Sequence, residues 1–162
     1  FITIHGRTRS QMYGGKADWK KISELKRNVD IPVFANGDIV SIETAEQCLE
    51  DSQADGVAIG RGALGDLTLI ARIEKYLATG EYTNPPTLEE KIMAMKKMLL
   101  KEVEFRGENV GVKFVRKFYP YYVNGFSGAS KCRAELVLMN NFNEINTLLD
   151  KIASHCHKDV LV

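Results

Sequence analysis

The feature that most constrains this chain is a strand, polar loop and helix unit that recurs three times in its first 80 residues. Apolar runs at 1–5, 33–36 and 56–60 each lead through a glycine-bearing loop into helical spacing, near 18–28, 42–51 and 66–79. Such alternation predicts parallel strands joined by crossover helices. The stretch IPVFANGDIV (31–40) illustrates the reading. Asn36-Gly37 suits a hairpin turn, but an alternating strand would then follow, whereas Ile42, Ala45 and Leu49 recur at helical intervals behind Ser41, a good N-cap. The inward stripes are expected at Trp19, Ile22 and Leu25, at Ala45 and Leu49, and at Leu67, Ile70, Ile73 and Leu77, with Gly80 as the stop.

Pro85 and Pro86 end the pattern, and residues 81–86 read as a linker. Thr87 and Glu90 then form a capping-box signature for a helix with Leu88, Ile92, Met95, Leu99 and Val103 on its apolar face and Gly107 at its end. Further helical patterns follow near 112–123, interrupted by Pro120, then 128–139 and 143–153. The expected organisation is α/β in residues 1–80, a helical bundle in 87–153 and a tail in 154–162. Three parallel strands leave a sheet edge open, and the chain begins inside a strand without an initiator Met. The expectation is a piece of a longer protein whose upstream strands close the sheet, or an association of two chains that does so.

Composition narrows the class. A formal net charge of +1 argues against wholesale capture of nucleic acid or membrane, while leaving local patches open. The cysteines, Cys48, Cys132 and Cys156, are odd in number and lack C-x-x-C spacing, so neither a disulfide framework nor a zinc knuckle is indicated. A reducing cytoplasm is the expected location. Ser154-His155-Cys156-His157 invites a metal reading, but consecutive residues cannot all turn toward one ion and no fourth ligand is near in sequence. A frayed tail is the expectation there.

The chemistry is expected in three loops at the carboxyl ends of the strands: His5-Gly6-Arg7-Thr8, Asn36-Gly37-Asp38 and Gly60-Arg61-Gly62. Parallel α/β proteins bind ligands at this end, and glycine lets backbone amides approach a phosphate. Gly60-Arg61-Gly62-Ala63-Leu64-Gly65 also matches the dinucleotide fingerprint G-x-G-x-x-G. That fingerprint needs a further strand ending in an acid about 20 residues on, and here the helix runs into Glu81 and the prolines. The phosphate-loop reading survives. Against it, Asn36-Gly37-Asp38 could be only a turn, Arg61 a surface ion pair and His5 structural.

The segments ITIHGRTR (2–9), IPVFANGDI (31–39) and GVAIGRGALG (56–65) resemble the last three strands of the tRNA-dihydrouridine synthases, particularly the bacterial B type. The resemblance continues through 111–118 and 126–133. It implies the last three βα units of an FMN-binding TIM barrel followed by a helical tRNA-binding domain. It further implies that His5 contacts the flavin and that Asn36, Gly37, Asp38, Gly60 and Arg61 hold its phosphate and ribityl region. Arg61 suits a phosphate; Asp38 takes a hydroxyl or orders the loop. The implied reaction is reduction of uridine in tRNA by NADPH through FMN, with a cysteine earlier in the barrel as acid. None of the three cysteines matches that acid, so no catalytic residue is expected in this chain, and alone it is expected to be inert.

Residues 106–133 carry six basic groups against Glu108, a local charge of +5. Lys113, Arg116 and Lys117 fall at i, i+3 and i+4 and, with Arg133, are the expected RNA-binding residues. Tyr119, Tyr121, Tyr122 and Phe126 are candidates to stack on bases, while Phe114 and Phe118 are expected in the core. A solvated helix face and core aromatics are the plain alternative. Two other functions stay open: a non-catalytic RNA-binding module, and another phosphate-binding barrel enzyme.

Overall fold

The computed structural model describes residues 1–12 and 14–155, so Cys156, His157 and most of the expected tail lie outside the described residues. The chain divides into two compact units, Phe1–Ala63 with Thr68–Asn84, and Leu64–Leu67 with Pro85–Val162.

The first unit is a parallel sheet of three strands, β1 (Ile2–His5), β2 (Val33–Asn36) and β3 (Gly56–Ala58), in the order β1-β2-β3. Helices α1 (Trp19–Lys26), α2 (Ile42–Ser52) and α3 (Leu69–Thr79) provide the crossovers. Asp18 caps α1 by accepting from the Lys21 amide, and Ser41 and Thr44 form a capping box on α2. In the register Ile2 pairs with Val33, Ile4 with Ala35, and Ala35 in turn with Val57; Ala35 and Val33 are fully buried beneath Ile22, Ala45 and Cys48. The opposite face carries Thr3, Phe34, His5 and Asn36, which are exposed or half-buried, so only one face of this sheet is sealed.

The α3 stripe differs from expectation. Leu67, Ile70 and Leu77 are 67, 54 and 48% exposed, while Leu69, Arg72 and Ile73 are buried. The helix begins at Leu69 rather than near 66, which moves the inward face to 69, 72, 73 and 76. Arg72 is tolerated there because its guanidinium donates to the Thr68 hydroxyl and to the Thr83 carbonyl, tying α3 to the segment leaving it. Leu25, on α1, is also 39% exposed.

The second unit contains α4 (Leu88–Arg106), α5 (Glu108–Val115), a 3₁₀ turn (Arg116–Phe118), α6 (Tyr119–Tyr122), α7 (Ala129–Leu138) and α8 (Phe142–His155). Thr87 and Glu90 form the expected reciprocal cap, and Ile92, Met95 and Leu99 bury the expected face of α4. They meet Val112, Val115, Leu136, Ile145 and Leu149 in one core. Pro120 lies in the first turn of α6, where its missing amide is harmless, so the segment expected at 112–123 is two short helices joined by a tight turn. Among the described residues no helix is long and apolar enough to cross a membrane.

Candidate cofactor-binding loops

Parallel pairing brings the ends of β1, β2 and β3 to one edge. His5, Asn36 and Ala58 occupy the last paired positions, side by side on the unsealed face of the sheet. The loops beyond them are cross-linked. Asn36 Nδ2 donates to the Ala58 carbonyl at 2.6 Å, joining β2 to β3. Arg7, on the loop after β1, places Nη2 at 2.8 Å from both Oδ1 and Oδ2 of Asp38, on the loop after β2. Asp38 Oδ2 also accepts from the Ala17 amide at 2.7 Å, and Trp19 Nε1 donates to the Gly37 carbonyl at 3.0 Å.

This bonding explains the local sequence. Gly37 has φ +119 and Asp38 φ +57, an unusual pair of left-handed residues that swings the Asp38 carboxylate back toward Arg7. A Cβ on Gly37 would stand 2.9 Å from that of Ala17 and 3.1 Å from the His5 ring. Burial works to raise the Asp38 carboxyl, but the Ala17 amide, the Arg7 hydrogen bond and the charges of Arg7 and Arg61 outweigh it, and its pKa lies below the usual value. Asp38 is therefore a carboxylate whose charge is already matched by Arg7. It links the loops after β1 and β2, and α2 is capped by Ser41.

His5 Nδ1 accepts from the Arg7 amide at 3.2 Å. A ring whose Nδ1 accepts in this way has Nε2 as its donor. After β3, Gly60 to Ala63 form a tight turn closed by Ala63 N to Gly60 O at 3.1 Å. Nothing stands within 4 Å of a Cβ built on Gly60, so its backbone is open to a ligand, whereas a Cβ on Gly62 would come within 2.0 Å of the Ile39 carbonyl. Gly62 is the residue that lets the third loop lie against the second. Arg61 is exposed on that turn, and its charge reaches Asp38. These loops offer backbone and cationic donors with their one carboxylate neutralised, a set chemically suited to a phosphorylated ligand.

The structure adds Arg7 to the residues expected from sequence. Its side chain is 5% exposed, and besides Asp38 it holds the carbonyls of Gly14 and Gly15. Sequence offered one signal for it: an arginine inside the first of three strand-end loops that together contain a single acid, Asp38.

The expected RNA residues differ in their partners. Lys113 is exposed and donates to Asn109 Oδ1, and Lys117 is exposed with its ammonium 3.7 Å from the centre of the Phe114 ring. Arg116 instead donates to the Met139 carbonyl and Asn140 Oδ1, and Arg133 to the Val123 carbonyl. Of the candidate stacking residues, Tyr119 and Tyr122 are buried, Phe126 packs against the core and Tyr121 is 36% exposed. Phe118 packs against the core as expected, while Phe114 is half-buried, with Arg106 4.1 Å from its ring centre. Cys48 is fully buried, which pushes its thiol up to about 11, and Cys132 lies on α7.

Comparison with known proteins supplies the family. The family model described as "Dihydrouridine synthase (Dus)" matches residues 1–157. A "Probable tRNA-dihydrouridine synthase" of Rickettsia bellii is 42% identical over 140 residues, 86% of this chain and 43% of that protein. "Probable tRNA-dihydrouridine synthase 1" of Synechocystis is 41% identical over 153 residues, 94% of this chain and 43% of that protein. "tRNA-dihydrouridine synthase B" of Pseudomonas putida is 40% identical over 133 residues, 82% of this chain and 40% of that protein. The matches span less than half the length of these curated relatives.

Proposed function

The chain belongs to the dihydrouridine synthase family, and on that premise we propose that it forms part of an FMN-dependent enzyme that reduces uridine to dihydrouridine in tRNA, with NADPH as reductant. In this reading β1 to β3 are consecutive strands of a TIM barrel, and α4 to α8 form the helical part that engages tRNA. The single observation that carries the reading is the cross-linked set of strand-end loops, in which Arg7 neutralises Asp38 and the Gly60 backbone stays open.

Flavin, when bound, supplies the hydride chemistry that no side chain can perform. The residues of this chain bind and orient. Arg61 and the Gly60 turn would hold the phosphate, Asn36 and Gly37 would shape the loop that holds the ribityl part, and His5 would offer a ring N–H to an acceptor on the cofactor. Asp38 keeps the first two loops in register through Arg7. Among the described residues neither Cys48 nor Cys132 stands at these loops, and in this reading the acid that completes uridine reduction comes from elsewhere in the intact protein and this chain by itself is inactive. Lys113 and Lys117 present ammonium groups to RNA phosphates, while Arg116 and Arg133 hold the local fold with part of their donors. Location in the cytoplasm, where tRNA is modified, accompanies this reading.

The test is Arg61→Ala in the intact protein. Flavin content after purification falls if Arg61 receives the phosphate, and an unchanged content removes Arg61 from that role.

A further inference from the structure

Phe105, in the last turn of α4, is 80% exposed and takes no part in the core of the second unit. It is not a core residue frayed at a helix end, because the inward stripe of α4 runs through Ile92, Met95, Leu99 and Val103 and position 105 lies off it. The other exposed residues from 101 to 113 are charged, polar or glycine, with Val110 the one exception. What the ring does touch is a cation. The Arg106 guanidinium carbon lies 5.3 Å from the centre of the Phe105 ring and 4.1 Å from that of Phe114, and Glu102 holds it through Nε. The Lys117 ammonium lies 3.7 Å from the centre of Phe114 and 5.0 Å from that of Phe118. Phe105, Arg106, Phe114, Lys117 and Phe118 thus form a row in which rings and cations alternate. The acids of this corner are committed: Glu102 pairs with Arg106, Glu104 with Lys101, and Glu108 accepts from the Phe142 amide. Lys113 and Lys117 have no carboxylate partner among the described residues, so positive charge is left over beside the row.

We infer that Phe105 is a stacking platform for an unpaired base of RNA, the phosphates of the same strand being met by Lys113 and Lys117. The inference rests on the tRNA-modification reading above and narrows it to one feature of the RNA, a nucleotide outside a duplex. A base with its phosphate fits because it is a flat ring tied to a negative charge, and so uses an open aromatic face and an unneutralised cation together. A base inside a helix has both faces covered by its neighbours and cannot stack on a side chain. A protein partner fits less well. Interface hot spots sit in pockets ringed by contacts that exclude water, whereas this ring projects from a charged surround.

The test uses the intact protein with Phe105→Ala, Phe105→Leu and Phe105→Trp, titrated with unmodified tRNA and with a fully paired RNA duplex. Phe105→Ala and Phe105→Leu should each weaken tRNA binding about fivefold or more, while Phe105→Trp binds at least as tightly as wild type. The slope of log Kd against log salt should stay that of wild type, because no charge is removed. Duplex binding, the urea midpoint and flavin content should not change. Unaltered tRNA affinity in Phe105→Ala overturns the inference. So does wild-type affinity in Phe105→Leu, which would assign the ring to apolar contact rather than stacking, or an equal loss on the duplex. A lowered urea midpoint also overturns it, by assigning the ring to packing inside the intact protein. Wild-type protein that binds no tRNA would remove the functional reading itself; normal wild-type binding with an indifferent Phe105→Ala removes only this platform.

Discussion

Arg7 and Asp38 lie 31 positions apart in sequence and meet with both carboxylate oxygens 2.8 Å from one guanidinium nitrogen. The contact joins the first two strand-end loops, and both neighbours of the pair are committed to it: Ala17 donates to the same carboxylate and Gly14 and Gly15 accept from the same arginine. Removing Arg7 leaves a half-buried carboxylate without its cation. Arg7→Ala is expected to cost about 3 kcal/mol of stability, visible as a lower urea midpoint of the intact protein, with flavin content falling in parallel. Arg7→Lys keeps the charge but not the several directed bonds, and should recover less than half of the loss.

Asp38 also sets a dependence on acid. Its pKa is lower in the folded protein than its unfolded value near 3.8, so its contribution is fully present above that value and is lost as pH falls through the folded pKa. The stability difference between wild type and Asp38→Asn should therefore be constant near neutrality and shrink below about pH 3.8, measured by urea unfolding across an acid series. A difference that stays constant through this window contradicts the pairing.

Much of this arrangement was legible in the sequence because it follows from local periodicity and cap chemistry. The three strand segments, the Ser41 and Thr87 caps, the Gly80 and Gly107 stops and the α4 face each depend on residues within a few positions of one another. What escaped depends on contacts between distant segments. Arg72 occupies an inward position because a carbonyl 11 residues away receives it, and apolar periodicity passes over such a residue in favour of Ile70. Arg116 has the spacing of a phosphate-binding helix face, but the Met139 carbonyl 23 residues on takes its guanidinium. The loop residues Asn36, Gly37, Asp38, Gly60 and Arg61 were chosen by their place at strand ends; Arg7 stands in such a loop too, but its role follows only from its contact with Asp38 across the loops.

Gly62 marks where the third loop touches the second. A methyl group there would lie 2.0 Å from the Ile39 carbonyl, a backbone atom that cannot rotate away. Gly62→Ala is expected to displace the Gly60 turn, costing about 1–3 kcal/mol and lowering flavin retention more than a substitution at solvent-facing Lys20 would. Thermal unfolding and the flavin absorbance of the purified proteins measure both effects.

Arg116 and Lys117 are adjacent and should behave oppositely. Arg116→Ala releases the Met139 carbonyl and Asn140 from their donor and is expected to lower stability by about 1–2 kcal/mol. Lys117→Ala, whose ammonium is exposed above Phe114, should leave stability within about 0.5–1 kcal/mol of wild type and reduce the salt slope of tRNA binding by about one. Equal effects of the two on stability would contradict the division between a structural arginine and an RNA-facing lysine.

The most direct measurement is titration of the flavin-free intact protein with FMN and, separately, with riboflavin, which lacks the phosphate. If the three strand-end loops grip the phosphorylated end of a flavin, FMN saturates one site per chain, riboflavin binds at least tenfold more weakly, and Arg61→Ala narrows that gap. Equal affinity for the two flavins, or no binding of FMN at all, would contradict the account.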